Sequence, residues 1–168
     1  MNKPLLTNEY TGPSGVKYIF EYSDTDSFDE LPHKLCRQMY SVCFYEGKMV
    51  IVYHGKTNMW GLVGGTVEPG ETLEKTLIRE IEEESNMRIL KWLPIGYQKM
   101  IDTRDGSFVY QLRTVSTAVP IGPFEKDPAG TVTEMKLVSP AEYKNYFDWG
   151  EIGERIVARA LELKPGLE

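Results

Sequence analysis

The stretch from Gly64 to Met87 constrains this chain more than any other. It opens on Gly64-Gly65, passes a turn signal at Glu68-Pro-Gly70, and continues as Thr72-Leu-Glu-Lys-Thr-Leu-Ile-Arg-Glu-Ile-Glu-Glu-Glu-Ser85. Leu73, Leu77 and Ile81 recur at i, i+4 and i+8, which makes an apolar stripe on a helix facing a core. Thr72 suits the N-cap, where its hydroxyl accepts a free N–H of the first turn. A helix is therefore predicted from Thr72 to about Ser85. Arg79, Glu80, Glu83 and Glu84 fill the arc beside the apolar stripe, so one edge buries while the next faces a cleft. Glu80 and Glu84 are a like-charge i,i+4 pair, which costs an isolated helix about 0.2–0.5 kcal/mol. Carboxylates gathered at such a cost call for a cation among them, and a hard divalent metal takes oxygen ligands of this kind. Glu82 points away from Glu80 and is read as solvent-facing. The plain alternative is a solvated acidic helix face.

The spacing G-x5-E-x7-R-E-(apolar)-x-E-E resembles the Nudix box, with Gly65, Glu71, Arg79, Glu80, Glu83 and Glu84 at its fixed positions. At average residue usage, six such matches arise by chance on the order of once in ten million start points, which weighs against the solvated-face reading. Trp60-Gly-Leu-Val-Gly-Gly65 resembles the approach to the box, although Val63 stands where a proline is common. The resemblance covers roughly residues 37–163 and implies a Nudix-like α/β/α sandwich with a central mixed sheet. It divides the chain into an N-terminal extension over 1–35, packing on or near the domain, and a Nudix hydrolase domain over 36–168.

What the resemblance implies for chemistry is hydrolysis of a pyrophosphate bond in a nucleoside-diphosphate-linked compound, with Mg²⁺ as cofactor and Mn²⁺ as substitute. Glu83 and Glu84 match the family's metal-binding glutamates. Glu80 matches the glutamate that binds metal or serves as base. Gly65 lies where a backbone carbonyl approaches the metal. Arg79 and Glu71 match a pair that holds helix and loop together and orients the catalytic glutamate. Gly64 belongs to the structural part of the box. A further acid from downstream is expected in the site. Glu134, at the start of a strand-like run, is favoured, with Glu125 and Asp127 as alternatives. Trp60 and Tyr53 are candidates to hold a base, and Tyr97, Tyr110 and Trp149 are further aromatics able to stack. The window Asp102-Thr-Arg-Asp105 carries neither the tyrosine that goes with dinucleoside polyphosphates nor the proline that goes with ADP-ribose. Nucleoside triphosphates are left slightly ahead. The competing function is a catalytically silent Nudix-type module that senses a nucleotide without turnover.

Composition limits the partners. The 168-residue chain carries a net charge of −6, which argues against binding nucleic-acid backbones. Its longest apolar runs are about five residues, too short to span a bilayer, and residues 1–15 do not read as a secretory signal. A small nucleotide or nucleotide-linked substrate is expected, with no nucleic acid and no membrane, and a homodimer is compatible with the family. Cys36 and Cys43 are too few for a disulfide scaffold and point to a reducing, cytoplasmic compartment. His33 and Cys36 find no matching pair for a zinc site.

The remaining elements follow from pattern. Residues 1–15 read as a loose lead-in and Val16–Tyr22 as a strand. Gln38–Tyr45 and Met49–His54 read as a hairpin, and Lys56–Gly61 as a loop. Strands are predicted near Leu90–Thr103, Phe108–Pro120 and Thr131–Val138, with a loop over Gly122–Gly130 and a short helix over Pro140–Tyr146. An amphipathic helix over Gly150–Leu163 turns Ile152, Ile156, Val157, Ala160 and Leu161 inward. Asn86 stands where the family usually has glycine. It is read as the left-handed residue that closes the box helix.

Overall fold

Along the chain, strands β1 (Leu6–Thr11), β2 (Lys17–Asp24), β3 (Cys36–Tyr45), β4 (Lys48–His54) and β5 (Met59–Thr66) precede helix α1 (Leu73–Ser85). Then come β6 (Met87–Asp102), β7 (Phe108–Pro120), β8 (Val132–Val138) and α2 (Gly150–Leu163), with a 3-10 turn over Pro140–Asn145. The structure, a computed structural model, describes residues 4–168. All eight strands join one mixed sheet in the order β1-β2-β6-β7-β3-β5-β4-β8. β3 and β7 run parallel, and the other pairs are antiparallel.

The two helices cover opposite faces of the sheet. Leu77 and Ile81 of α1 pack with Met39, Val50, Val52, Val63 and Leu112. Ile152, Ile156 and Ala160 of α2 pack with Val42, Phe44, Ile51, Leu62 and Val115. Successive residues of β4 thus serve different cores, since strand side chains alternate. That is why Met49-Val-Ile-Val52 reads as an unbroken apolar run: both of its faces are buried. Of the α2 residues predicted to face inward, Leu161 stands exposed, while Gly153 takes a buried place. Within the described residues no helix is long and apolar enough to cross a membrane.

Three expectations need correction. The lead-in is structured: Leu6–Thr11 pairs residue for residue with β2, and β2 pairs with β6, so this hairpin completes one end of the sheet. Exposed, polar β1 carries little hydrophobic signal, and its strand character comes from the ladder. Met1–Lys3, also part of that expectation, lie outside the described residues. Second, β3 and β4 pair only at Phe44↔Met49 and Tyr45↔Lys48, next to a turn in which Glu46 and Gly47 both have positive φ. Beyond it they part, and β5 inserts between them. Third, the expected loop over Lys56–Gly61 gives way to strand from Met59, because Met59 and Trp60 pair with His54 and Tyr53. The other elements stand within a few residues of their predicted bounds.

Both ends of α1 follow the sequence. Thr72 Oγ1 accepts the Lys75 N–H at 3.2 Å. Asn86 adopts φ 51°, ψ 42° and donates its N–H to the Glu82 carbonyl. Its side-chain amide also donates to the Pro123 carbonyl at 3.0 Å, tying the helix end to the loop that follows β7. Left-handed geometry costs an ordinary residue roughly 1–2 kcal/mol. Asn86→Val is therefore expected to lose about that much stability in thermal or urea melts. Asn86→Gly should stay near the parent, since easier backbone geometry offsets the lost amide contact. A valine variant as stable as the parent would refute the capping account.

Candidate active site

Gly65, near the end of β5, lets the acidic edge of α1 come close to the sheet, and Gly64 lets β5 lie close against β3. Gly64 has φ +145°, and a Cβ there would meet the Met39 carbonyl oxygen at 2.1 Å. A Cβ on Gly65 would lie 2.4 Å from Oε1 of Glu80. The Glu80 carboxylate therefore occupies the space that any larger residue at 65 would fill. One turn further, Glu84 Oε2 accepts the Gly64 N–H at 2.9 Å. Glu80 and Glu84 are both buried, although both are carboxylates.

Arg79 organises the outer part of this edge. Its Nε and Nη2 form a fork on Glu71, at 2.8 and 2.9 Å, and Nη2 also donates to the Thr66 carbonyl. Its Nη1 donates to Glu80 Oε1 at 2.8 Å and to Glu83 Oε2 at 3.3 Å. The i,i+4 pair with Glu83 and the clamp on Glu71 thus coexist. Glu71 also accepts the Glu68 N–H and the Thr76 hydroxyl, closing the turn before the helix. Hydrogen bonding from Arg79 is the main reason the Glu71 carboxyl is held down at about 2.

The inner part has the opposite character. Burial pushes Glu84 up to about 8, against the Gly64 N–H, and the charges of Glu80, Asp127 and Glu83 push the same way. Burial also raises Glu80, with Arg79 opposing. Asp127 comes from the loop before β8, where its oxygens accept the N–H groups of Ala129, Thr131 and Val132 and the Thr131 hydroxyl. Burial works against its ionisation, but these hydrogen bonds outweigh it and keep Asp127 low. Fixed negative charge faces a carboxyl that resists ionising. Among the described residues, no three His, Cys, Asp or Glu side chains already converge as a ligand set. The oxygen donors of Glu80, Glu83 and Glu84 nevertheless suit a hard divalent cation, whose charge would offset both the burial and the repulsion that raise Glu84.

Glu134 is not brought to this cluster. It is exposed on β8, opposite Tyr53, and pairs with Lys136 at 3.6 Å. Lys136 lies over the Trp60 ring, whereas Met135, between them, packs in the core beneath α1. Strand alternation puts Glu134 on the α2 side of the sheet, so the expectation that it joins the box carboxylates is corrected. Glu82 is exposed, as expected. Cys36 and Cys43 are buried free thiols, and His33 is exposed.

The aromatics divide between the faces. Tyr97 and Tyr110 meet edge to face at 5.5 Å in the α1-side core. Trp60 and Trp149 line a cavity of about 700 Å³ on the α2 side, and Tyr53 packs on Trp60 at 5.3 Å. Tyr40 links this cavity to the carboxylates. It lines the cavity and stands opposite Gly64 in the β3–β5 ladder. Burial raises its phenol, Arg113 pulls it down, and Glu84 and Glu80 push it up, so one ring feels both centres. Sequence reasoning missed Tyr40 and Arg113. The available signal was a lone arginine in the otherwise uncharged strand Phe108–Pro120.

The Glu71 clamp predicts a pH signature. The folded carboxyl sits at about 2, below its ordinary value of 4.5. Its stabilisation is therefore complete above that ordinary value and fades as pH falls toward the folded one. Glu71→Gln is expected to melt below the parent at neutral pH, with a gap that narrows steadily below about pH 4.5. A gap that does not change between neutral and acid pH would mean that Glu71 acts by shape and not by charge.

Comparison with known proteins agrees with this geometry. The family model described as NUDIX domain matches residues 38–160, most of the chain. A Nudix hydrolase of Deinococcus radiodurans is 41% identical over 61 residues, which span 34% of this chain and 36% of that protein. The fold is similar to the Bacillus subtilis pyrophosphohydrolase BsRppH, with a TM-score of 0.69 and 14% identity over 96% of this chain and 99% of that one. It is also similar to a NUDIX hydrolase of Nitrosomonas europaea, with a TM-score of 0.62 and 16% identity over 76% and 89% of the two chains. A family match over most of its length and a shared α/β/α architecture, with the box residues gathered around Gly64-Gly65, place this chain in the Nudix hydrolase family.

Proposed function

We propose that the protein hydrolyses a pyrophosphate bond in a small nucleotide substrate with the help of Mg²⁺, for which Mn²⁺ can substitute. The observation that carries this reading is the placement of Glu80 and Glu84 against Gly64-Gly65, with Arg79 holding Glu80 and Glu83 on the same helix edge. Glu83, Glu84 and the Gly65 carbonyl are the proposed metal donors. A bound divalent ion would neutralise phosphate charge and lower the pKa of a coordinated water.

Glu80 is the proposed general base, and its carboxylate can also join the metal donors. Burial raises its affinity for a proton, the direction a general base needs, while Arg79 opposes the rise. Arg79 positions it by holding Oε1. Asp127 contributes fixed negative charge from its loop. The cavity lined by Trp60 and Trp149 is the proposed seat of the base, with Tyr53 supporting Trp60 from behind. Nucleoside triphosphates are favoured slightly, on the residues at 102–105. The buried free thiols Cys36 and Cys43 support work in a reducing, cytoplasmic setting.

Phosphate release from a panel of nucleotides in Mg²⁺ tests the activity. Glu83→Gln and Glu84→Gln are each expected to lower turnover at least about tenfold, the lower end of what even outer-shell changes cost a metal site. Glu134→Gln should leave turnover near the parent's. Calorimetric Mn²⁺ titration separates the roles: Glu80→Gln should keep metal affinity and lose turnover. A loss of Mn²⁺ binding in that variant would assign Glu80 to the ligands instead. No hydrolysis of any diphosphate compound in either metal would refute the enzymatic reading.

A further inference from the structure

Arg113 is a buried cation that pairs with no acid among the described residues. It is 4% exposed, in the middle of β7, between Tyr40 on β3 and Gly96 on β6. Its guanidinium lies 5.0 Å from the Tyr40 ring centre and 6.0 Å from that of Trp149. Nη1 donates to the Leu112 carbonyl at 3.2 Å and Nη2 to Gln111 Oε1 at 3.4 Å, while the buried Nε has no partner. A guanidinium carries five N–H donors, so most of its capacity is uncommitted. Among the described residues lining the same cavity, Asp148 carries the only carboxylate, and that group accepts the Gly150 N–H. Burial pulls the Arg113 pKa down. Folding gains nothing obvious from placing a desolvated cation here, and hydrophobic replacement of buried charges is often neutral or stabilising.

The cavity around it fits a planar ligand. Trp60, Trp149 and Tyr40 line it with aromatic rings, and Gln98 and Gln111 add side-chain amides beside Arg113. A guanidinium that keeps uncommitted N–H groups among aromatic rings matches a heterocycle with two adjacent acceptors on one edge. Guanine offers such a pair in O6 and N7, which arginine takes bidentately. Adenine puts a donor at N6 and breaks the match.

We propose that Arg113 is a specificity-determining residue that reads the O6/N7 edge of a guanine base seated in the Trp60–Trp149 cavity. This rests on the placement of the base in that cavity but not on hydrolysis. Its test is therefore binding without metal. Trp60 and Trp149 line the cavity, whereas Trp92 donates to Glu74 beside α1, so tryptophan fluorescence mainly reports this site.

Titrations in EDTA use GMP, AMP, 7-deaza-GMP and inorganic pyrophosphate. GMP is expected to bind at least about tenfold tighter than AMP and 7-deaza-GMP, the size of one good bidentate base contact. Pyrophosphate should not change the fluorescence. Arg113→Met should erase the GMP preference while melting at or above the parent temperature. Arg113→Lys, which keeps charge without the fork, should erase it too. Equal binding of GMP and AMP by the parent, or no nucleotide binding at all, overturns the proposal. So does pyrophosphate binding that Arg113→Met abolishes, which would make the residue a phosphate seat. A lower melting temperature for Arg113→Met with the GMP preference intact would make it a structural residue. GMP preference without hydrolysis of any nucleotide would uphold this inference while refuting the enzymatic reading.

Discussion

Close contact between the acidic edge of α1 and the diglycine end of β5 is the constraint on which the site depends. With no side chain at 65, Glu80 rests against the strand, and Glu84 reaches the amide of Gly64, whose own missing side chain lets β5 lie close to β3. A single Cβ at either position would push the helix edge outward or strain the strand. Leu77 and Ile81 hold the helix down from its other side, so the apolar stripe and the acidic edge work together. Helix packing supplies the driving force, and the glycines supply the clearance.

That contact concentrates charge where water is scarce. Arg79 satisfies the outer carboxylates, most fully Glu71 with its two-pronged bond. The inner pair is left with less compensation. Burial pushes the Glu84 carboxyl up to about 8, the Gly64 amide opposes it, and three acidic neighbours add to it. Such an imbalance is poor design for a structural ion network and good design for a group that takes a cation or a proton. Asp127 sharpens it, because its own ionised state is secured by the loop it caps.

The sheet separates two kinds of chemistry. The box carboxylates lie on the α1 side, while the cavity aromatics Tyr40, Trp60 and Trp149 lie with Arg113 on the α2 side. Only the backbone of β3 and β5 stands between them at Tyr40 and Gly64. A molecule with an anionic end and a flat, polar end matches this division. The two ends are built from different elements, so either can change without dismantling the other.

The sequence alone determined the local and periodic features. The helix over Leu73–Ser85, its Thr72 cap and its Asn86 terminus follow from side-chain spacing and backbone preference within a few residues. The grouping of Arg79, Glu80, Glu83 and Glu84 was legible for the same reason, because one helix carries them all, and the pairing of Glu71 with Arg79 was legible through the resemblance to the Nudix box. Tertiary structure decided what depends on distant pairing. The strand at Leu6–Thr11 exists because β2 offers it a ladder, and the start of β5 because β4 does. The downstream acid near the box carboxylates is Asp127 and not Glu134, because strand alternation turns Glu134 to the other face and a self-bonded loop carries Asp127 inward. Arg113 met Tyr40 and Trp149 only when β7 aligned in parallel with β3 and the start of α2 closed over them. Spacing along one element can be read from a chain, whereas the side of a sheet on which a residue lands depends on registers set by partners far away in sequence.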